Sequence, residues 1–234
     1  MHVEEEVLQR VLGQFLERDL RSLGLVPSVT EVTAAMPALF DVDGAGLLLV
    51  DEHQVLRYCA ATDASAHLLE ALQESTGRGP CVQSLVDDVL VETDDILTDE
   101  RWPDLAHPLA ENGVRAIIGA PIRLAGAPIG SINVFRREPY EWDDSDRAAL
   151  ASFERIIESL LSSVIVADRN EELAKQLREA LHARVAIERA VGIVMALEDL
   201  DATDAFERIR RAARSSRRSV REIASDVVRF KKVP

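Results

Sequence analysis

The run from Ala116 to Phe135, AIIGAPIRLAGAPIGSINVF, decides the fold. Two apolar segments, Ala116–Arg123 and Pro128–Phe135, flank Leu124-Ala125-Gly126-Ala127, the pattern of a β-hairpin. Both segments are apolar on both faces, which predicts strands at the centre of a sheet. Working outward, Gly44–Val50 and Val55–Ala61 read as strand, turn and strand across Asp51-Glu52-His53, and Val89–Thr93 as a short strand. Helical periodicity marks Val3–Leu23, about Val29–Leu39 with a stop near Pro37, Ala64–Gln73, and Trp102–Asn112 closed by Gly113. Gly77-x-Gly79-Pro80 breaks the third of these helices. The order predicts an α+β domain, an antiparallel sheet with helices packed on one side.

Composition narrows the class. The chain has 234 residues, 47% apolar and 29% charged, as a soluble globular protein does. No apolar run reaches the ~18 residues of a membrane span. Glu4, Glu5 and Glu6 are unlike the basic start of a secretory signal. Two cysteines, Cys59 and Cys81, are too few for a disulfide scaffold or a thiolate zinc site. A reduced cytoplasmic protein with no membrane partner is expected. The net charge of −14 hides an asymmetry: residues 1–168 carry −18 and residues 169–234 carry +4. Within Arg208–Lys232, ten basic residues face only Glu222 and Asp226. An acidic front repels polyanions that a basic tail is able to hold.

From Asp144 the chain reads as one helix for about fifty residues, to about 197. Phe153, Ile157, Leu160, Val164 and Ala167 form a coiled-coil seam. A second seam (Leu173, Leu177, Ala180, Arg184, Ile187, Val191 and Val194) is out of step by one residue. The slip falls at Asp168-Arg169-Asn170, which divides a front domain (1–165) from a tail (166–234). Such a helix gains its stability from packing, so a parallel homodimer is the economical expectation. Asp201 caps a further helix with Ala205, Phe206, Ile209 and Ala212 inward. Ser219-Val220-Arg221-Glu222 is a capping box opening a last helix with Val220, Ile223, Ala224 and Val227 inward.

Two resemblances follow from these residues. Gly79-Pro80-Cys81, Asp99-x-Arg101-Trp102-Pro103, Gly113-Val114-Arg115-Ala116, Pro121-Ile122 and Gly130-Ser131-Ile132-Asn133-Val134-Phe135 resemble a GAF domain. The resemblance implies a six-strand-type antiparallel sheet and a pocket that in some members binds a cyclic nucleotide, haem or bilin. The Asn-Lys…Phe…Asp-Glu signature of the cyclic-nucleotide binders is missing, so no cofactor is identified and any small-molecule ligand is unknown. Leu177-x-x-Ala180-x-x-x-Arg184-x-x-Ile187-x-x-Ala190-x-Gly192-x-x-Met195, Ala205-Phe206-x-x-Ile209-Arg210-x-Ala212 and Val220-x-x-Ile223-Ala224 resemble an ANTAR domain. That family implies a dimer that grips paired RNA stem-loops and causes antitermination.

Arginines neutralise phosphates and stack on or hydrogen-bond to splayed bases. The expected RNA-binding residues are Arg184, Arg211, Arg214, Arg217, Arg218 and Arg221. Arg184 falls in the apolar series of the helix, so it either joins the basic face or pairs with a carboxylate such as Glu188 or Glu222. Cys81 reads as a buried thiol rather than a bilin attachment point, and His107 as a surface histidine rather than a haem ligand. The acidic clusters Glu92/Asp94/Asp95 and Asp143/Asp144/Asp146 lack calcium-loop spacing. No nucleophilic triad, phosphate loop or zinc motif is evident, and no metal or catalytic activity is expected. Two alternatives differ in partner: a DNA-binding regulator using the last two helices, and a scaffold whose basic tail binds an acidic protein or its own acidic front domain.

Overall fold

A computed structural model describes residues 25–50, 56–167 and 171–233. The expected helix at Val3–Leu23 lies outside the described residues. The first described helix, α1 (Leu25–Phe40), runs through Pro37 instead of stopping there. Its final turn is held by packing, since Met36 and Phe40 are buried and the Phe40 ring meets Phe153 at 5.3 Å.

β1 (Gly44–Val50) and β2 (Leu56–Ala61) follow, then α2 (Ala64–Thr76), α3 (Pro80–Asp87) and β3 (Val91–Thr93). α4 (Pro103–Glu111) leads into β4 (Ala116–Leu124) and β5 (Ala127–Arg136). The sheet is antiparallel with the order β2-β1-β5-β4-β3, so the hairpin strands are both interior. Leu124 pairs with Ala127, leaving Ala125 and Gly126 at φ 51° and 83°. Positive φ at both positions is a type I′ turn, whose twist suits the strands it joins.

Three features differ from expectation. Five strands occur among the described residues rather than six. The stretch after β3 forms side-chain turns, with Asp95 accepting from the Leu97 amide and Asp99 from the Arg101 amide. Helices cover both faces of the sheet, because successive strand residues point to opposite sides. Ile117 and Phe135 pack with Leu69, Leu105 and Leu109 of α2 and α4, while Leu47, Ile118 and Val134 pack with α1 and α5 (Asp144–Ala167). Finally, the hairpin is not wholly apolar: Ser131 and Asn133 are fully buried on the α2 side.

The tail is a second core. α6 (Glu171–Glu198), α7 (Ala202–Ser216) and α8 (Val220–Phe230) enclose Ile187, Val194, Phe206, Ile209, Ile223 and Val227. Asp201 caps α7 through the Asp204 amide, and the Ser219/Glu222 capping box opens α8. Side chains of both expected seams between Val164 and Leu177 lie outside the described residues.

The expected single helix from about 144 to 197 is corrected to two, Asp144–Ala167 and Glu171–Glu198. Glu158 accepts from the Arg123 amide, and the same arginine donates to the Asp88 carbonyl. Arg184 donates to the carbonyl of Leu85, less than one turn from Asp88. A straight helix would part residues 158 and 184 by ~39 Å at 1.5 Å per residue. α6 therefore doubles back and packs on α5. Burying the apolar side of α6 against its own chain replaces the single extended rod.

Candidate nucleic-acid interface and the front-domain core

The exposed arginines gather around the turn between α7 and α8. Arg211 and Arg214 are one helical turn apart on the outer face of α7, and Arg217, Arg218 and Arg221 continue across the turn. Local chemistry holds this turn. Arg217 takes the left-handed conformation (φ 54°) that ends α7, and its amide bonds the Ala213 and Arg214 carbonyls. Two residues on, Ser219 accepts from the Glu222 amide while the Glu222 carboxylate accepts from the Ser219 amide. These bonds keep the Glu222 carboxyl below its usual range.

Two members of the run have acidic tethers. Arg214 bonds Glu207, and Arg218 lies 2.7 Å from Asp226. Arg211, Arg217 and Arg221 are exposed.

Arg184 stands apart from the other five. It is 2% exposed, donates to Leu85 O at 2.7 Å, and pairs with Glu188 at 3.1 Å. Burial pulls its pKa down, opposed by the Glu188 charge. Of the two roles open to it, the geometry shows the pairing with Glu188. Sequence reading passed over Arg210 as a site residue, although its neighbours in the motif were legible. Its guanidinium donates to the Glu74 carbonyl at 3.2 Å and sits beside Glu207.

The front domain encloses a second polar group of residues, between β1, β5, α2 and α3. Asn133 donates to the Glu70 carboxyl, and Gln73 donates to the Cys81 sulfur at 3.0 Å while accepting from the Cys81 amide. Glu70 lies over the backbone of Gly46, where a methyl group would fall 2.1 Å from its Oε1. Burial pushes the Glu70 carboxyl up to about 8, against the opposing pull of the Asn133 hydrogen bond. A neutral acid is thus the main form at neutral pH. Glu70 Oε2 and Asn133 Oδ1 have no hydrogen-bond partner.

Burial also raises the Cys81 thiol, and the nearby Glu70 charge adds to the effect. A thiol held protonated and away from solvent is a poor nucleophile. His107 is exposed on α4. Glu92 is bound by Arg147 and Asp95 by Arg115, so these carboxylates serve as arginine partners. Asp143 and Asp146 bond each other's amides at the start of α5.

A sheet with a buried polar group under one face is thus joined to a three-helix unit with an arginine-rich turn. The chain belongs to the GAF domain family, which it matches over residues 26–159, and it carries an ANTAR domain over residues 175–228. That pairing is the architecture of a signal-responsive, RNA-binding transcription antitermination regulator. No curated protein matches the chain significantly.

Among solved structures, the chain is similar to the phycocyanobilin-bound GAF domain of a cyanobacterial phytochrome. They are 15% identical with a TM-score of 0.53, covering 70% of this chain and 98% of that one. The GAF domain of the Acinetobacter phosphoenolpyruvate-protein phosphotransferase is 14% identical with a TM-score of 0.52, covering 66% and 90%. Free methionine-R-sulfoxide reductase from Neisseria meningitidis is 18% identical with a TM-score of 0.50, covering 66% and 86%. These likenesses are of fold alone. Among the described residues, no helix is long and apolar enough to cross a membrane.

Proposed function

We propose that the chain acts in the cytoplasm as a dimer, binds paired stem-loops in nascent RNA through its tail, and so favours read-through over termination. The observation that carries this reading is the run of exposed arginines Arg211, Arg214, Arg217, Arg218 and Arg221 around a turn held by a capping box. A fixed turn leaves little backbone freedom to lose on binding, which suits recognition of phosphates and splayed bases. Aromatic platforms are scarce there: Phe206 belongs to the tail core, and Phe230 lies under the Arg229 guanidinium. Arginine-led recognition is therefore expected rather than stacking on aromatic rings.

The front domain receives the signal and works without catalysis, in keeping with its buried, protonated thiol. Two copies would present two arginine runs, one for each stem-loop. Titration with a tandem-hairpin RNA, beside duplex DNA of equal charge, tests the reading. Saturable binding to the RNA with the duplex left weak supports it. Preference for the duplex, or no binding to either in dilute buffer, overturns it. Sedimentation of the RNA complex as a single copy overturns the dimer.

A further inference from the structure

The two domains meet at the carboxyl ends of two helices. α2 ends at Thr76 and α3 at Asp87, so the Glu74 and Leu85 carbonyls lie in last turns that no intrahelical amide reaches. Each accepts from a tail guanidinium, Leu85 from Arg184 at 2.7 Å and Glu74 from Arg210 at 3.2 Å. A helix carboxyl end carries partial negative charge, and a guanidinium offers it several fixed donors.

The rest of the contact is fitted to these two bonds. Gly77, which ends α2 at φ 71°, leaves room for Arg210: a methyl group there would fall 1.5 Å from its Nη1. Val86 of α3 packs on the tail core, and Arg78 pairs with Asp204 of α7 at 3.3 Å across the rim.

We propose that this contact is a clamp that withholds part of the RNA-binding surface, with Arg184 and Arg210 shared between two exclusive partners. The inference rests on the RNA-binding reading above and names its regulation. Clamped, each arginine gives one donor to a front-domain carbonyl and is held largely out of solvent, where it cannot meet a phosphate. The five arginines around the α7–α8 turn stay exposed, so the clamped chain keeps a weaker grip. Release adds two cations to it. Gln73 and Cys81, which bond each other in the front-domain core, stand on the same two helices as the clamped carbonyls. A change in that core shifts the helix ends and loosens the clamp.

The test uses the full chain. Arg78→Asp repels Asp204, Val86→Asp puts a charge into the apolar part of the contact, and Arg78→Asp with Asp204→Arg restores the ion pair in reverse. Hydrogen exchange over residues 76–88 and 202–210 reads docking, and tandem-hairpin RNA titrated over a salt series reads binding. Arg78→Asp is expected to speed exchange and tighten RNA binding by about threefold, the scale of one exposed ion pair. Val86→Asp is expected to do more.

The slope of log affinity against log salt should steepen by about 1.4 on full release, for two added contacts. The double variant should return to the parent values. Faster exchange with unchanged RNA affinity and slope overturns the clamp as a gate while leaving RNA binding intact. Should neither parent nor variants bind RNA, with exchange still responding to the substitutions, the RNA-binding reading fails. The gate then fails with it, and the docking contact stands alone.

Discussion

Arg184 and Leu85, 99 positions apart, are joined by a 2.7 Å hydrogen bond from guanidinium to backbone carbonyl across the two domains. The bond explains why a cation interrupts an otherwise apolar series: the helix face that buries Ile187 and Val194 also meets the negative end of α3.

Removing that cation is expected to destabilise the protein. Arg184→Ala leaves a buried carbonyl without its donor and strips Glu188 of its partner. The cost is about 2 kcal/mol for a charge-assisted bond of this kind. Arg184→Lys should recover part of it, since a point charge replaces a planar fork. Thermal denaturation measures this. An unchanged melting temperature with weakened RNA binding would instead mark Arg184 as an RNA contact only.

The exposed arginines should behave in the opposite way. Alanine at Arg211 or Arg221 is expected to change stability by less than about 0.5 kcal/mol. Each should flatten the log-affinity against log-salt slope for RNA by about 0.7. Arg214 and Arg218 must first give up Glu207 and Asp226, so their replacement should cost less affinity. Binding titrations at four or more salt concentrations separate the two groups.

Arg217 sets stability against function. Its left-handed backbone is a conformation that glycine adopts freely and arginine does not. Arg217→Gly should raise the melting temperature, by up to about 1 kcal/mol in unfolding free energy, while weakening RNA binding. A loss of both stability and binding would show that the side chain holds the turn.

Glu70 predicts a pH dependence. Its carboxyl titrates near 4.5 when unfolded and at about 8 when folded, so between these values the native state holds the proton that the unfolded chain has lost. The carboxyl's contribution to stability is complete below 4.5 and declines as pH rises to about 8, by roughly 1.4 kcal/mol per pH unit. Glu70→Gln keeps the hydrogen bond to Asn133 without an ionisable group, and should flatten denaturant-unfolding stability across this window. A parent profile that rises with pH through the same range would contradict it.

Much of this was legible along the chain. The hairpin at 116–135, the capping box at Ser219 and the inward residues of α7 and α8 follow from local periodicity and side-chain-to-backbone bonding. The helix Pro80–Asp87 was not. Gly77-x-Gly79-Pro80 reads as a break, and the eight residues after it are too few for periodicity to declare themselves. The same proline is a favoured first helical residue once Gly79 has turned the chain. Asn133 and Ser131 were equally hidden, because a strand pattern records a polar residue without telling what lies above it.

The amino-acid order by itself determined the hairpin at 116–135, the helix caps and the amphipathic helices of the basic tail, since each depends on neighbours within a few positions. Only the tertiary structure decided that the long helical region folds back, that Arg184 and Arg210 end on the carbonyls of α3 and α2, and that Glu70 stays uncharged. These depend on which surfaces exclude water together, and that is settled between residues 63 to 136 positions apart.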